Sequence, residues 1–288
     1  MNSPRMRLSF ASLFSLVVCV HLFLTGCSPT RFFYYPNRTL YVDPVNLGMP
    51  YDVIQFPSLN GKNLYAIFFK TNLPPKGTVV HFHGNFGNVS NHFMQSQWLT
   101  RYGFDVLVVD YQGFGGSEGS PSPKNTVEDG IASVRYAQNH LRDPNTGVVV
   151  FGQSMGAAVA TVVTAREPFV KGVVLEAGFN SYRAIARTVL KKSFLLWPLY
   201  PVYPFFVGTK YDPEKRIADI SPRPVLIVHG DKDHIVPEWM SERLYKKARE
   251  PKTLHVVPGA DHLEILRKEG KGYETRVANF FLDALTKP

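Results

Sequence analysis

Residues 148–156 read VVVFGQSMG, and the ten residues that follow, AAVATVVTAR, are rich in alanine and valine. The apolar run at 148–151 predicts a strand buried on both faces, and the stretch after it predicts a helix. Between them, Gly152, Ser154 and Gly156 form a Gly-x-Ser-x-Gly turn, in which small residues flank a nucleophile at a strained bend. The sequence therefore predicts a reactive serine at a helix N-terminus, where the helix dipole favours developing negative charge.

The rest of the chain repeats this alternation of strand and helix. Further apolar runs without polar alternation, typical of strands in a parallel sheet, occupy residues 78–83, 106–110, 172–176, 225–229 and 254–257. Two more β-like runs, 51–56 and 64–69, flank Asn60-Gly61, a strong hairpin signal. Helix-length stretches cover residues 125–141, 154–166, 238–249 and 263–285. We predict one α/β domain from residue 27 to 288, with a mostly parallel sheet covered by helices on both sides.

One insertion interrupts this alternation, at about residues 180–223. Its length of about 45 residues far exceeds an ordinary strand-to-helix connection. It contains FLLWPLYPVYPFF at 194–206, whose prolines exclude one continuous helix. The insertion is either a loop packed on the core or a lid whose apolar side lines a substrate pocket, and the length favours the lid.

A serine hydroxyl is a poor nucleophile until a base takes its proton, so a histidine and an acid are expected downstream. Among the later histidines, His262 follows the last strand in a loop at the same sheet edge as Ser154, which favours it as the base. The turn after the preceding strand offers Asp231 and Asp233, and either carboxylate is suited to orient the imidazole. The Met155 backbone N–H is expected to stabilise an oxyanion.

Residues 115–119 repeat the Gly-x-Ser-x-Gly pattern around Ser117. Pro121 and Pro123 follow directly, so a helix does not start after this serine. We interpret Ser117 as part of a turn beneath the site and Ser154 as the nucleophile.

Four motifs carry a family resemblance: HGNFGN at 83–88, DYQGFGGS at 110–117, GQSMG at 152–156 and HGDKDHIVP at 229–237. Together they resemble the BEM46/ABHD13-like branch of α/β-hydrolase fold serine hydrolases. The resemblance implies an α/β-hydrolase fold, with Asp233 as the acid, His262 as the base and the Asn85 N–H as the second oxyanion donor. The chain departs from that branch with Gln112, where arginine is common, and Phe86, where alanine is common.

The first 26 residues predict a lipoprotein signal peptide that is cleaved. Arg5 and Arg7 precede an apolar run at 8–24, and the segment ends in Leu-Thr-Gly-Cys at 24–27. This ending resembles the lipobox of bacterial lipoproteins, which implies acylation of Cys27, for example with palmitate. A cleaved soluble signal and a retained membrane anchor are the alternatives. Ser28 favours the outer membrane of the cell envelope.

The chain carries 32 basic and 23 acidic residues, and loss of Arg5 and Arg7 leaves a net charge of +7. No basic run of the kind that marks a nucleic-acid patch is present, so we predict no nucleic-acid partner. His81 and His83 have no third ligand at suitable spacing, so we predict no metal site and no cofactor.

These features predict a membrane-tethered serine hydrolase that cleaves a small-molecule carboxylic ester, thioester or amide through an acyl-enzyme intermediate. Two alternatives stay open: a peptidase or amidase on the same fold, and a lipoprotein that binds a ligand without turnover.

Overall fold

Eight strands form one sheet in a computed structural model that describes residues 33–192 and 194–286 of the chain. With a separate two-stranded pair, the described residues contain ten strands in all. In chain order they are β1 (Tyr35–Pro36), β2 (Asp52–Pro57), β3 (Asn63–Phe69), β4 (Gly77–Phe82), β5 (Phe86–Gly87), β6 (Phe104–Val109), β7 (Val148–Gln153), β8 (Val170–Glu176), β9 (Val225–Gly230) and β10 (Lys252–Val257). The sheet runs in the order β10-β9-β8-β7-β4-β6-β3-β2, and β1 pairs separately with β5. Strands β2 and β3 form the predicted antiparallel hairpin, and β3 is also antiparallel to β6. The other neighbours in the sheet are parallel.

The helices are α1 (Val89–His92), α2 (Pro123–Asn139), α3 (Met155–Arg166), α4 (Tyr182–Lys192), α5 (Tyr203–Phe206), α6 (Trp239–Lys247), α7 (Ile265–Glu269) and α8 (Lys271–Thr286). The predicted helix at 263–285 is wrong as a single element, because Gly270, with φ of 52°, separates α7 from α8. Short 3₁₀ segments complete the described chain, including Phe194–Leu199 within the insertion. Within residues 33–192 and 194–286, no helix combines the length and apolar character needed to cross a membrane.

Two apolar cores lie on the two faces of the sheet. Val148 and Val150 of β7 belong to one core, with residues of α2 and α3, while Val149 and Phe151 belong to the other, with residues of α8. Every residue of the central strands β4, β6, β7 and β9 is buried whichever way it points, which explains why these runs lack polar alternation, whereas β10 at the edge of the sheet is mostly half-buried.

The parallel strands place their carboxyl ends at one edge of the sheet. The loops after β4, β7, β9 and β10 all begin there and carry Asn85, Ser154, Asp233 and His262. Residues 1–32 lie outside the described part of the chain, so the predictions for the signal peptide and for Cys27 stay predictions.

The turn between β7 and α3 depends on very close contacts at its two flanking glycines. A Cβ atom at Gly156 would lie 1.9 Å from the Phe82 carbonyl oxygen, and one at Gly152 would lie 2.5 Å from the Gly156 oxygen. Both contacts are with backbone, which has little freedom to move aside. Helix α3 therefore packs against β4 and β7 at a distance that only glycine permits at these positions.

We expect Gly156→Ala to destabilise the protein by about 3 kcal/mol or more, because the added methyl group overlaps backbone atoms. Gly272→Ala is the matched control, since a Cβ there has no atom within 4 Å and the site lies in helix α8. Alanine at that position should be neutral or stabilise by up to about 1 kcal/mol. Urea denaturation of both variants measures the difference, and equal midpoints would refute the packing argument.

Candidate active site

Ser154 occupies the bend between β7 and α3 with φ of 54° and ψ of −116°, a backbone conformation that non-glycine residues rarely adopt. Its N–H donates a 2.8 Å hydrogen bond to the Glu176 carbonyl oxygen at the end of β8, which ties the bend to the neighbouring strand. The residue lines a cavity although only 6% of its surface is exposed. The fold thus presents the hydroxyl at the N-terminus of α3.

The structure brings the serine, the histidine and one acid into a hydrogen-bonded chain. Ser154 Oγ lies 3.1 Å from His262 Nε2, and His262 Nδ1 lies 2.7 Å from Asp233 Oδ2. His262 comes from the loop after β10 and Asp233 from the loop after β9. In this arrangement the imidazole is placed to accept the serine proton, and the carboxylate is placed to stabilise the imidazolium that results.

Asp233 is fixed by more than its contact with His262. Its Oδ1 atom accepts 2.8 Å hydrogen bonds from the N–H groups of Ile235 and Val236. Burial by itself raises the pKa of Asp233, but hydrogen bonds from His229 and His262 outweigh it and bring the pKa well below the ordinary range. The carboxylate is therefore ionised at neutral pH, as an acid that orients a histidine must be.

The other acidic residues near His262 do not reach its ring. Asp231 Oδ1 accepts a 2.6 Å hydrogen bond from the Gly259 N–H. Asp261 Oδ1 accepts from the His262 backbone N–H at 2.7 Å, and Asp261 Oδ2 lies 3.0 Å from His234 Nδ1. Of the two acids that the sequence left open, Asp233 is the one that contacts the His262 imidazole.

Ser117, in the second Gly-x-Ser-x-Gly segment, has a structural position. Its Oγ donates a 2.7 Å hydrogen bond to the Asp110 carbonyl oxygen and accepts one of 2.8 Å from the Tyr65 N–H. Both bonds hold the turn that follows β6. The Ser117 hydroxyl is therefore engaged in two hydrogen bonds to backbone groups.

The two predicted oxyanion donors lie beside the serine. Asn85 and Met155 both line the cavity at Ser154, and in the described part of the chain neither backbone N–H has an acceptor. The Asn85 side-chain amide donates to the Phe33 carbonyl oxygen at 3.0 Å, and the Asn85 backbone carbonyl accepts from the Tyr35 N–H at 2.7 Å. These bonds hold the loop after β4, and with it the Asn85 N–H, at the cavity beside Ser154.

His229, the first residue of the HGDKDHIVP motif, also contacts Asp233. It is fully buried, and its Nε2 lies 3.2 Å from Asp233 Oδ2 and 2.8 Å from the Val236 carbonyl oxygen. Because both neighbours accept hydrogen bonds, Nε2 carries the proton. Ser241 Oγ lies 2.6 Å from His229 Nδ1. His229 is thus a second imidazole on the same carboxylate, a role that its position at a strand end did not reveal.

A second buried network, missed at the level of sequence, lies beneath the bend. Gln153 Nε2 donates to Glu176 Oε1 at 2.9 Å, and His81 Nε2 lies 3.1 Å from Gln153 Oε1. His81 Nδ1 contacts Ser96 Oγ at 2.8 Å, and the Tyr273 hydroxyl donates to Glu176. Burial raises the pKa of Glu176, although its hydrogen bonds oppose that effect. Both ring nitrogens of His81 are therefore used within the protein.

A cavity of about 310 Å³ opens beside Ser154. Helix α4 contributes Ile185, Ala186, Val189 and Leu190, and later parts of the insertion contribute Leu196, Leu199, Val202, Tyr203, Phe206 and Val207. No charged side chain is among the described residues that line it. The insertion thus lies over the serine, with its apolar side facing the cavity.

Comparisons with known proteins identify the family. Residues 73–221 match the model of the family described as serine aminopeptidase, S33. Protein YfhR of Escherichia coli K12 is 32% identical over 282 residues, which cover 95% of this chain and 93% of YfhR. Protein bem46 of Schizosaccharomyces pombe is 26% identical over 245 residues, covering 83% of this chain and 79% of bem46. The chain therefore belongs to the serine aminopeptidase S33 family and is an α/β hydrolase.

Solved structures confirm the predicted fold. An esterase from Pyrococcus furiosus aligns with a TM-score of 0.71 at 19% identity, over 88% of this chain and 99% of the esterase. The protein PA2218 of Pseudomonas aeruginosa aligns with a TM-score of 0.67 at 21% identity, over 88% of this chain and 99% of that chain. At these identities the likeness establishes the architecture, a mostly parallel sheet flanked by helices.

We expect Asp233→Asn to slow the reaction of Ser154 with a fluorophosphonate probe by roughly 10³-fold or more, because the amide neither fixes the His262 tautomer nor stabilises an imidazolium. Asp231→Asn is the matched control, since it removes the same charge from the same loop without touching His262. Mass spectrometry of the labelled serine over time measures both rates. An equal loss in the two variants would contradict the role given to Asp233.

Proposed function

We propose that the protein hydrolyses carboxylic esters of apolar acyl groups through an acyl-enzyme intermediate on Ser154. One observation carries the proposal: the hydrogen-bonded chain from Ser154 through His262 to Asp233 opens into an uncharged, apolar cavity. The family supports hydrolysis in general, and the chain's own side chains support the choice of substrate.

The proposed reaction uses catalytic groups of this chain and one water molecule. His262 Nε2 takes the Ser154 proton as Oγ attacks the ester carbonyl carbon, and Asp233 stabilises the imidazolium. The Asn85 and Met155 N–H groups then donate to the oxyanion, a contribution of the kind whose loss costs roughly 10²–10³ in rate. The C–O bond breaks, His262 returns the proton to the leaving alcohol, and a water molecule activated by His262 releases the acid.

An ester is favoured over the peptide substrate that the family description suggests. An aminopeptidase must bind the free ammonium group of its substrate, and such a cation requires an acidic or strongly polar partner when buried. The described lining of the cavity offers neither Asp nor Glu. Thioesters and amides share the chemical route, and side-by-side assays of the three bond types separate them.

Ser154→Ala should abolish ester hydrolysis, because no other described hydroxyl contacts His262 Nε2. The wild-type protein should form a fluorophosphonate adduct on Ser154, located by peptide mapping. Ser117→Ala, which alters a structural hydroxyl, should still label on Ser154. An adduct on Ser117 would refute the assignment, and a folded protein that forms no adduct would favour ligand binding without turnover.

Acyl-chain length should control the rate, because each methylene buried in the cavity contributes about 0.8 kcal/mol, or roughly fourfold in kcat/KM, until the cavity is full. We expect Ala186→Phe, which fills the cavity from α4, to shift the optimum to shorter chains. Ala184→Phe is the control on the other face of the same helix. A series of p-nitrophenyl esters measures both, and an unchanged optimum in Ala186→Phe would place the acyl chain elsewhere.

We also propose that acylated Cys27 tethers the mature protein to the outer membrane of the cell envelope. The basic start, the apolar run at 8–24 and the Leu-Thr-Gly-Cys ending support this attachment. Cys27→Ser should stop incorporation of labelled palmitate and release the protein in a carbonate wash. Persistence of the variant in washed membranes would argue for a retained anchor instead, and Ser28→Ala is a control that leaves the acylated thiol intact.

A further inference from the structure

A second cavity, of about 640 Å³, lies on another face of helix α4 and has no part in the proposed reaction. Residues 183, 187 and 191 follow each other at the spacing of one helix face. Ile185, Ala186 and Val189 instead face the 310 Å³ cavity beside Ser154, which we call the acyl cavity. The lining of this second cavity is strongly basic. Its charged members are Arg183, Arg187, Lys191, Lys192, Arg243 and Glu214.

We call this second cavity the basic groove. Its single acid, Glu214, leaves most of the positive charge of the groove uncompensated. Glu214 Oε2 lies 2.5 Å from Arg243 Nε, so its charge is used by one arginine. Arg183 Nε donates to the Val207 carbonyl oxygen at 2.8 Å, and Arg187 Nε donates to the Tyr200 hydroxyl at 2.7 Å, both neutral acceptors. Among the described residues, Lys191 has no ion-pair partner. Such a groove is complementary to phosphate groups.

Large apolar side chains of the same insertion are exposed, and two of them belong to the 3₁₀ segment Phe194–Leu199, which packs against α4. Phe194, Trp197 and Phe205 are 72%, 60% and 85% exposed. Val189 and Ile235, about half exposed, line the acyl cavity, so exposed apolar surface also lies at the rim of that cavity. Aromatic side chains beside Lys and Arg are the composition of surfaces that lie in a membrane interface. A soluble phosphate compound as the ligand would explain the basic side chains but not the exposed aromatic ones.

Attachment at Cys27 would place the acyl cavity near a membrane. Phe33 lines the acyl cavity and lies six residues after Cys27, a span of at most about 20 Å. The apolar run at 8–24 ends only nine residues before Phe33. An acyl group on Cys27, or the run itself, would therefore hold the cavity close to the bilayer.

We propose that the lid face, defined as the basic groove on α4 together with Phe194, Trp197 and Phe205, docks on the surface of an anionic phospholipid bilayer. The cations contact lipid phosphates, the aromatic rings enter the interface, and the acyl ester reaches Ser154 from the membrane. This inference rests on the proposed function and deepens it, because it makes a membrane lipid the source of the substrate.

The test uses the full chain with Ser154→Ala, which turns over no lipid, reconstituted in phosphatidylcholine vesicles with or without phosphatidylglycerol. Brominated acyl chains quench tryptophans that enter the bilayer. Trp98 is buried, so Trp239→Phe leaves Trp197 as the exposed reporter among the three tryptophans. We expect phosphatidylglycerol to raise the ratio of docked to undocked protein, measured by quenching, by about tenfold, and added salt to reverse it.

Arg187→Gln with Lys191→Gln should lower that ratio by about tenfold. Lys191→Glu alone, which breaks no hydrogen bond to the insertion, should also lower it. Lys62→Gln with Lys268→Gln is the control for charge, because these exposed lysines lie on the β2–β3 hairpin and on α7. Thermal unfolding establishes that each variant is folded.

Equal tryptophan quenching in vesicles with and without phosphatidylglycerol would overturn the inference. Equal docking by the Arg187/Lys191 variants and the Lys62/Lys268 control would also overturn it. Abolition of docking by inorganic phosphate at constant ionic strength would also overturn it in favour of a soluble ligand. Labelling of Ser154 in the wild-type protein is measured separately. If Ser154 is labelled but the protein does not dock, the proposed hydrolase activity is retained and the membrane inference is refuted. If the protein docks but Ser154 is not labelled, the hydrolase activity is refuted and the membrane-docking surface is retained.

Discussion

The close contact between helix α3 and strand β4 determines the geometry on which the candidate site depends. Helix α3 begins so close to the sheet that the chain bends sharply at Ser154, which has a positive φ and lies at the helix N-terminus. Gly152 and Gly156 permit the approach because their missing side chains leave room for backbone oxygens. The strain at Ser154 is maintained by the surrounding packing, including the bond from its N–H to β8.

Electrostatics then determine which groups cooperate with the serine. Asp233 is buried, which opposes ionisation, yet hydrogen bonds from two imidazoles and two backbone N–H groups hold it as a carboxylate. One of those imidazoles, His262, extends to Ser154, whereas the other, His229, stays beneath the loop. An anion held this firmly is suited to orient His262 and to stabilise its protonated form.

The insertion gives helix α4 two different surfaces. One face is apolar and covers the cavity at Ser154, while another carries Arg183, Arg187 and Lys191 in the basic groove. The proposed esterase activity uses the first face, and the proposed contact with a bilayer uses the second. Together the two proposals describe an enzyme that would take its acyl substrate directly from an anionic membrane.

The sequence by itself determined where most strands lie along the chain and where the bend at Ser154 falls, because buried parallel strands and glycine-flanked turns have strong local patterns. It also reduced the candidate partners of Ser154 to one histidine and two acids. Spacing alone did not separate Asp231 from Asp233, because the two lie two residues apart, and Asp233 was predicted only through the family resemblance. The contact with the His262 ring, which distinguishes the two acids, depends on the folded path of the loops after β9 and β10. The network at Glu176 likewise depends on contacts between segments that are distant in sequence. The break at Gly270 and the pairing of His229 with Asp233 are local features that the sequence pattern did not reveal. Local pattern predicts where a side chain emerges from the sheet, whereas the partner it meets is decided by packing in three dimensions.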